Sequence, residues 1–243
     1  MGIYRIAQLN IKITPQSEYV KKILSDYETE SENVDFEVSV SREDVLYERE
    51  VAEKAEAEAY FSEPMCESTA IYRKICDEVL QKHNGTMLHC AAVGYKGKAY
   101  IFTAPSGTGK STHIRLWKKL LGDEVKVING DKPIVRVHNG EVIVYGTPWR
   151  GKEGYGCNTS APLGGVFLLG RGEVNSVEKA PVQEAVKVLL TQMYTTKSKD
   201  DMQKLLAIIE KIIVTAPVFR LKCNMDISAA ETALKAVEEL LKN

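Results

Sequence analysis

The chain has 243 residues, of which 44% are hydrophobic, so it can bury a substantial core as one large domain or as a domain with a smaller lobe. Its 32 Lys and Arg residues nearly balance its 33 Asp and Glu residues, and the net charge of −1 indicates neither a nucleic-acid nor a membrane partner. No apolar run is long enough to cross a bilayer, and the N-terminus lacks a secretory signal core. The five scattered cysteines form no C-x-x-C pair, which favours a reducing, cytoplasmic setting.

The first third of the chain mixes strand and helix patterns. Apolar and polar residues alternate in its strand-like runs, and a Glu- and Ala-rich stretch over residues 42–67 is typical of a solvated helix or a mobile connector. We predict, in order, a strand at 3–13, a helix at 16–27 and a strand at 34–40. These elements would form a small α+β N-terminal lobe over residues 1–62, followed by a second domain over residues 63–243.

Strand and helix patterns alternate through the second domain. Asn139–Gly140 separates two alternating runs and is a strong signal for a two-residue hairpin turn. Strands are predicted at 87–93, 98–103, 124–129, 134–137, 141–145, 165–169 and 218–221, and helices at 68–83, 113–121, 182–195, 199–214 and 228–242. Hairpins among these strands predict an α/β fold with a mixed sheet rather than an all-parallel, doubly wound one.

The most informative stretch runs from Ala104 to Ser111 and reads A-P-S-G-T-G-K-S. It matches the phosphate-binding motif G-x-x-x-x-G-K-[ST] at every fixed position but the first, where alanine replaces glycine. Gly107 and Gly109 lack the Cβ atoms that would keep backbone N–H groups from phosphate oxygens, and Lys110 would reach the terminal phosphates. The alternative is a chance glycine-rich turn, but an apolar strand before the motif and an amphipathic helix after it favour a nucleotide site.

We therefore expect the loop and the first turn of the following helix to bind ATP. The Ser111 hydroxyl would ligate Mg²⁺, and the positive end of the helix would face the phosphates. The predicted nucleotide-binding residues are Ser106, Gly107, Thr108, Gly109, Lys110, Ser111 and Thr112.

Two residues outside the loop are candidates for the chemistry. Asp131 follows an apolar strand, where an acidic residue could hold Mg²⁺ or orient a nucleophile, although N-G-D is also common turn chemistry. His89 lies on the strand expected to pair with the one entering the loop, so a structural role and an active-site role are equally open.

A basic, glycine-rich stretch over residues 146–156 lies between two predicted strands. Such a loop could close over phosphates and place Arg150 or Lys152 against charge that develops during transfer. Alternatively, it is a surface loop stiffened by its proline and tryptophan, although long loops in compact domains are often functional.

A histidine in a short strand, a hairpin, S-G-T-G-K-S, an Asp-bearing strand end and a later basic glycine-rich loop together resemble the HPr kinase and ATP-dependent phosphoenolpyruvate carboxykinase superfamily. The resemblance covers about residues 86–170 and is strongest for the HPr kinase catalytic domain. It implies a P-loop core of that type with a mixed sheet and flanking helices. It further implies that the loop binds phosphates, that Ser111 ligates the metal and that His89 is the active-site histidine.

The chain departs from that family at Gly130–Asp131, where its kinases carry two consecutive aspartates. Asp131 matches the second, metal-linked position, whereas Gly130 replaces the first, which usually acts as the base. Asp131 could therefore serve as the base, Glu153 or His89 could replace it, or catalysis could be weak. Carboxykinase activity is not expected, because the chain is far shorter than those enzymes.

The resulting expectation is an ATP- and Mg²⁺-dependent kinase acting on a hydroxyl, with serine or threonine of a protein or peptide favoured. A small-molecule kinase and a nucleotide-binding regulator without turnover remain alternatives. The expected partner is the phosphate acceptor (protein, peptide or small molecule), with no nucleic acid or membrane, and a homo-oligomer is left open. The candidate metal ligands are Ser111 and Asp131, and the candidate catalytic residues are Asp131, His89, Lys110, Arg150, Lys152 and Glu153.

Overall fold

The computed structural model describes residues 1–55 and 61–242. Contacts divide the chain into two compact units, Met1–Val79 and Leu80–Asn243. The expected domain boundary after residue 62 falls at the start of the long helix α3 (Glu63–Lys82), which continues from the first unit into the second. That boundary stays a prediction, and the two units are described in turn.

The first unit opens with an antiparallel hairpin of β1 (Gly2–Ile6) and β2 (Leu9–Ile13), and β3 (Phe36–Val38) pairs with β2 in parallel. The expectation of one strand over residues 3–13 is wrong. Ala7 and Gln8 both adopt left-handed φ values, of 52° and 60°, which reverse the chain between the strands. Neither is a glycine or an asparagine, so the sequence carries no turn signal there.

Among the described residues, three α-helices lie in or begin in the first unit. Helix α1 (Glu18–Leu24) is capped by the Ser17 side chain and ends in a 3-10 turn, and α2 (Arg42–Ala55) precedes α3. The predicted solvated helix at 42–67 is therefore α2 and the start of α3, and its residues 56–60 lie outside the described residues. The largest side chains buried at the centre of this unit are Ile6, Ile11, Ile13, Leu24, Tyr27, Ile71 and Ile75.

The second unit is built on a nine-stranded mixed sheet. Its strands are β4 (Gly85–Met87), β5 (Cys90–Tyr95), β6 (Lys98–Thr103), β7 (Val125–Asn129), β8 (Ile134–His138), β9 (Glu141–Tyr145), β10 (Ser160–Arg171), β11 (Ser176–Lys179) and β12 (Val218–Cys223). The order is β4-β8-β9-β10-β6-β5-β7, and β12 joins β10 to β11. Only the pairings of β10 with β6 and with β12 are parallel. The expected α/β class with a mixed sheet is confirmed.

Two hydrophobic clusters form the core of this unit. One contains buried residues of α5 (Val182–Gln192) and α6 (Lys199–Thr215), and the other contains those of α4 (Lys110–Leu121) and α7 (Ile227–Lys242). Along the central strands, alternate residues such as Ile101 and Phe102 belong to different clusters, as expected for a sheet covered on both faces.

Several predicted boundaries shift in the second unit. The strand expected at 87–93 begins only at Cys90, because β4 is a separate strand, and the strand expected at 165–169 extends over all of β10. The short polar strand β11 was missed. In the part of the chain that the structure describes, no helix combines the length and the apolar character needed to cross a membrane.

Candidate functional site

The loop between β6 and α4 adopts a conformation that depends on its glycines. Gly107 and Gly109 have φ values of 76° and 122°, and α4 begins immediately afterwards at Lys110. A Cβ atom on either glycine would meet nothing within 4 Å, so the backbone conformation rather than a lack of space favours glycine there. Ala104, at the motif's first position, is buried and is not among the residues with positive φ, so it needs no glycine.

Lys110 folds back into this loop. Its buried ammonium group donates hydrogen bonds to the carbonyl oxygens of Ala104, at 2.8 Å, and of Pro105, at 3.4 Å. Burial lowers the pKa of Lys110, and the nearby Asp131 carboxylate opposes that effect. The loop, its lysine and Asp131 therefore share one electrostatic environment.

Asp131 is positioned by the turn that follows β7. The side-chain oxygen of Asn129 accepts hydrogen bonds from the backbone N–H groups of Asp131 and Lys132, both at 2.8 Å. Asn129 is fully buried, and its amide nitrogen donates to the backbone and hydroxyl oxygens of Thr147, each at 3.1 Å. The predicted Asn-Gly-Asp turn is thus real, and it orients the Asp131 side chain.

Asp131 lies at the centre of a cluster of charged and polar groups. One carboxylate oxygen is 3.4 Å from Nε2 of His89, and the other pairs with the Lys132 ammonium. Nδ1 of His89 lies 3.1 Å from the Gln192 carboxamide oxygen, and Nε2 faces Asp131. Burial raises the pKa of Asp131, but His89 and Lys132 outweigh it and hold the pKa below its usual range. The carboxylate is therefore ionised at neutral pH.

Backbone hydrogen bonds hold His89 in this cluster. The His89 N–H donates to the Gln192 carbonyl at 2.8 Å, and the neighbouring Cys90 N–H donates to the Asp131 carbonyl at 3.1 Å. The hydroxyl of Thr103, the last residue of β6, donates to the His89 carbonyl at 3.1 Å. The start of β5 is thereby joined to the end of β6 and to the Asp131 turn.

The glycine-rich stretch at 146–156 packs against the same turn. A Cβ on Gly151 would lie 2.8 Å from Cβ of Asp131, and the Gly130 N–H donates to the Tyr155 carbonyl at 2.8 Å. A Cβ on Gly130 would lie 3.2 Å from Tyr155 and 3.3 Å from the Arg150 carbonyl. Gly130 is therefore closely packed, and a side chain there would require its neighbours in the stretch to shift by a few tenths of an ångström.

The remaining predicted site residues differ in how far they are buried. Arg150 is half-buried, whereas Lys152 and Glu153 are exposed at the tip of the glycine-rich stretch. The Asp131 side chain, by comparison, is only 21% exposed. In the phosphate-binding motif, Ser106 and Gly107 are exposed, and the half-buried residues are Thr108, Gly109, Ser111 and Thr112. The structure thus brings His89, Lys110 and Asp131 together and leaves Lys152 and Glu153 at the surface.

Sequence reasoning missed several residues of this site. Lys132 could have been found, since it adjoins Asp131 in the sequence. Thr147 lies in the glycine-rich stretch that the sequence singled out, although it was not named there. Gln192 and Arg171 carry no local signal, because each reaches the site from a distant part of the chain. Arg171, the last residue of β10, donates from Nη2 to the Gly107 carbonyl at 2.6 Å.

An open cavity of about 450 Å³ adjoins the cluster. It is lined by His89, Lys132, Met87 and residues 191–195. Its volume lies within the range of small-ligand pockets, and its lining combines methionine side chains with hydroxyl, amide and basic groups. A hydroxyl-bearing molecule in this cavity would lie beside the His89–Asp131 pair.

No protein-family model matches the chain, and no curated protein matches it either. Among solved structures, the chain is similar to the HPr(Ser) kinase/phosphatase from Coxiella burnetii, at 9% sequence identity and a TM-score of 0.36. The similarity covers 65% of this chain and 99% of that one. A relationship this distant carries no argument about activity, so the proposals below rest on the residues themselves.

Proposed function

We propose that this chain is an ATP- and Mg²⁺-dependent kinase that transfers the γ-phosphoryl group to a hydroxyl. The observation that carries the proposal is the Lys110 ammonium, buried inside a glycine loop at the start of a helix and beside an ionised carboxylate. Phosphate oxygens bound in the loop would replace the Ala104 and Pro105 carbonyls as partners of Lys110. The ammonium, the loop N–H groups and the helix N-terminus would then offset phosphate charge during transfer.

The His89–Asp131 pair is the proposed proton acceptor. Asp131 is ionised at neutral pH, and Gln192 orients the His89 ring so that Nε2 faces the carboxylate. A carboxylate paired with Lys132 is a weak base at rest. Its basicity would rise if the Lys132 ammonium turned towards phosphate, which would couple proton acceptance to nucleotide binding.

The donor set fits a magnesium ion bound together with nucleotide. Mg²⁺ is usually held by one or two carboxylates, phosphate oxygens and water, and Asp131 and the Ser111 hydroxyl would provide the protein donors. When bound, the ion would neutralise phosphate charge. Asp131 would first have to exchange its pairing with Lys132, so the metal-ligand and proton-acceptor roles compete for one carboxylate.

The cationic residues of the glycine-rich stretch would complete the site. Arg150 lies on the side of the loop that packs against Gly130 and is the proposed partner of the transferring phosphoryl group. Lys152 and Glu153 are exposed, so any role in the chemistry would require the tip of the loop to close over bound nucleotide.

The proposed acceptor is a serine or threonine of a protein or peptide in the cytoplasm. One observation favours a small-molecule acceptor instead. The cavity beside His89 and Lys132, at about 450 Å³, could take a metabolite-sized molecule.

The proposal is tested by phosphate transfer from γ-labelled ATP with Mg²⁺ to a cell extract separated into macromolecules and small metabolites. We expect Lys110→Ala to lower transfer at least about a hundredfold, because it removes charge stabilisation of the transition state. Lys119→Ala is the matched control, since Lys119 is an exposed lysine on the same helix and should leave transfer unchanged.

Label among macromolecules would support the protein or peptide acceptor, and label only among metabolites would support the small-molecule alternative. Transfer retained by Lys110→Ala would contradict the site. ATP binding without transfer to either fraction would instead indicate a regulator without turnover, with Gly130 as the residue to explain.

A further inference from the structure

Arg171 approaches the phosphate-binding loop from a neighbouring strand. Strands β6 and β10 are parallel, and Leu168 lies opposite Thr103, the last residue of β6. Strand β10 therefore continues three residues beyond this pair and ends at Arg171. This is the same end of the sheet at which the loop begins. There, Nη2 of the exposed Arg171 side chain donates to the carbonyl oxygen of Gly107 at 2.6 Å.

This hydrogen bond fixes the direction of one peptide group in the loop. In a planar trans peptide the C=O and N–H bonds point to opposite sides, so the carbonyl facing Arg171 turns the Thr108 N–H away from it. That N–H donates to the Pro105 carbonyl at 3.4 Å, the oxygen that also accepts from Lys110 at 3.4 Å. The Thr108 hydroxyl donates to the same oxygen at 2.9 Å, so three donors converge on it inside the loop.

The peptide needs such a contact because of Gly107 itself. Its φ is 76°, and no side chain restricts its backbone. A glycine peptide changes orientation at little energetic cost, and the Thr108 N–H holds it from inside the loop only through a 3.4 Å hydrogen bond, so the Arg171 contact adds a second constraint on its orientation.

We propose that Arg171 is a positioning residue for nucleotide binding, which holds the Gly107–Thr108 peptide so that its N–H faces the bound phosphates beside Lys110. This inference rests on the proposed function, because it assumes a nucleotide in the loop. The contact between Arg171 and Gly107 lies outside the position proposed for the phosphates. Arg171 should therefore affect the binding of every nucleotide whose phosphates occupy the loop.

The test measures the affinities of ATP and ADP, each with Mg²⁺, by calorimetry on the full chain and on Arg171→Ala and Arg171→Lys. Arg171→Ala removes one charge-assisted hydrogen bond at an exposed site. It should weaken the binding of ATP and of ADP by about tenfold, and to the same degree. Arg171→Lys keeps a donor and a positive charge and should recover most of the affinity. Lys222→Ala is the matched control, because it removes an exposed cation from the adjacent strand β12.

Three results would overturn the inference. A loss for ATP alone would mean that Arg171 binds the terminal phosphate directly, and unchanged affinities in Arg171→Ala would mean that the contact has no role in binding. Equal losses that Arg171→Lys does not reduce would rule out a role as hydrogen-bond donor. Failure of the proposed nucleotide site would be visible separately, because the unaltered chain would then bind neither nucleotide, whereas failure of phosphate transfer alone would leave these affinities and this inference intact.

Discussion

His113 shows how burial behind the glycine loop affects a single titratable group. It lies in the first turn of α4, where its Nε2 accepts a hydrogen bond from the Trp117 indole at 3.0 Å and its ring centroid is 4.5 Å from that of Phe102. Burial lowers the pKa of His113 from 6.5 to about 4. The residue is therefore neutral in the folded protein at every pH above about 4.

This shift predicts a loss of stability in mild acid. The unfolded chain takes up a proton on His113 below about pH 6.5, whereas the folded protein resists until about pH 4, so unfolding becomes easier as pH falls between these values. The shift corresponds to about 3 kcal/mol. Urea unfolding at pH 7 and pH 4.5 should show most of this loss, and His113→Phe should reduce it.

The stabilising effect of Asp131 falls in a lower pH range than that of His113. The depressed pKa of Asp131 stabilises the fold above the ordinary carboxyl value near 3.8, and that contribution is lost only at lower pH. His138 is exposed, so His138→Gln serves as the control and should keep the pH dependence of the unaltered chain. An undiminished loss in His113→Phe would refute the assignment.

At the scale of elements, the glycine-rich stretch acts as a packing surface for the Asp131 turn. Gly151 and Gly154 have similar left-handed φ values, of 72° and 67°. Their surroundings differ, because a Cβ on Gly151 would lie 2.8 Å from Asp131, whereas a Cβ on Gly154 would meet nothing within 4 Å. The two glycines therefore form a matched pair.

Gly151→Ala and Gly154→Ala separate backbone strain from displacement of Asp131. Both should lower the free energy of unfolding by about 1 kcal/mol, because alanine is strained at positive φ. Only Gly151→Ala should also lower phosphate transfer, by roughly tenfold or more, because it moves the carboxylate. Denaturant unfolding and transfer rates measured on both variants test this. Equal activity in the two would show that the contact with Asp131 is not used in the reaction.

At the scale of the whole molecule, nucleotide binding should stabilise the unit that contains the loop. A ligand that binds only the folded state adds about 2.7 kcal/mol at one hundred times its dissociation constant. We therefore expect ATP or ADP to raise the thermal unfolding midpoint of the full chain, as followed by calorimetry. Lys110→Ala should abolish the shift and Lys119→Ala should keep it, and an equal shift in both variants would place the nucleotide elsewhere.

The sequence predicted the local features of this molecule well. The hairpin at Asn139–Gly140 forms with both residues at positive φ, and α4 follows the glycine loop as its amphipathic pattern indicates. The local signals failed where a turn or a strand consists of residue types that are unusual for that kind of element. The turn at Ala7–Gln8 contains no glycine or asparagine, and β11 is too short and polar to be distinguished from a loop.

By itself, then, the sequence determined the mixed α/β class and the loop, because backbone propensity, hydrophobic periodicity and glycine placement act over a few neighbouring residues. Only the tertiary structure decided which distant residues meet at the loop. The order and register of the strands bring His89 and Asp131 together, set Gln192 behind the histidine and place Arg171 against Gly107. Strand order depends on packing between elements that are far apart in the chain, and no short-range pattern records it.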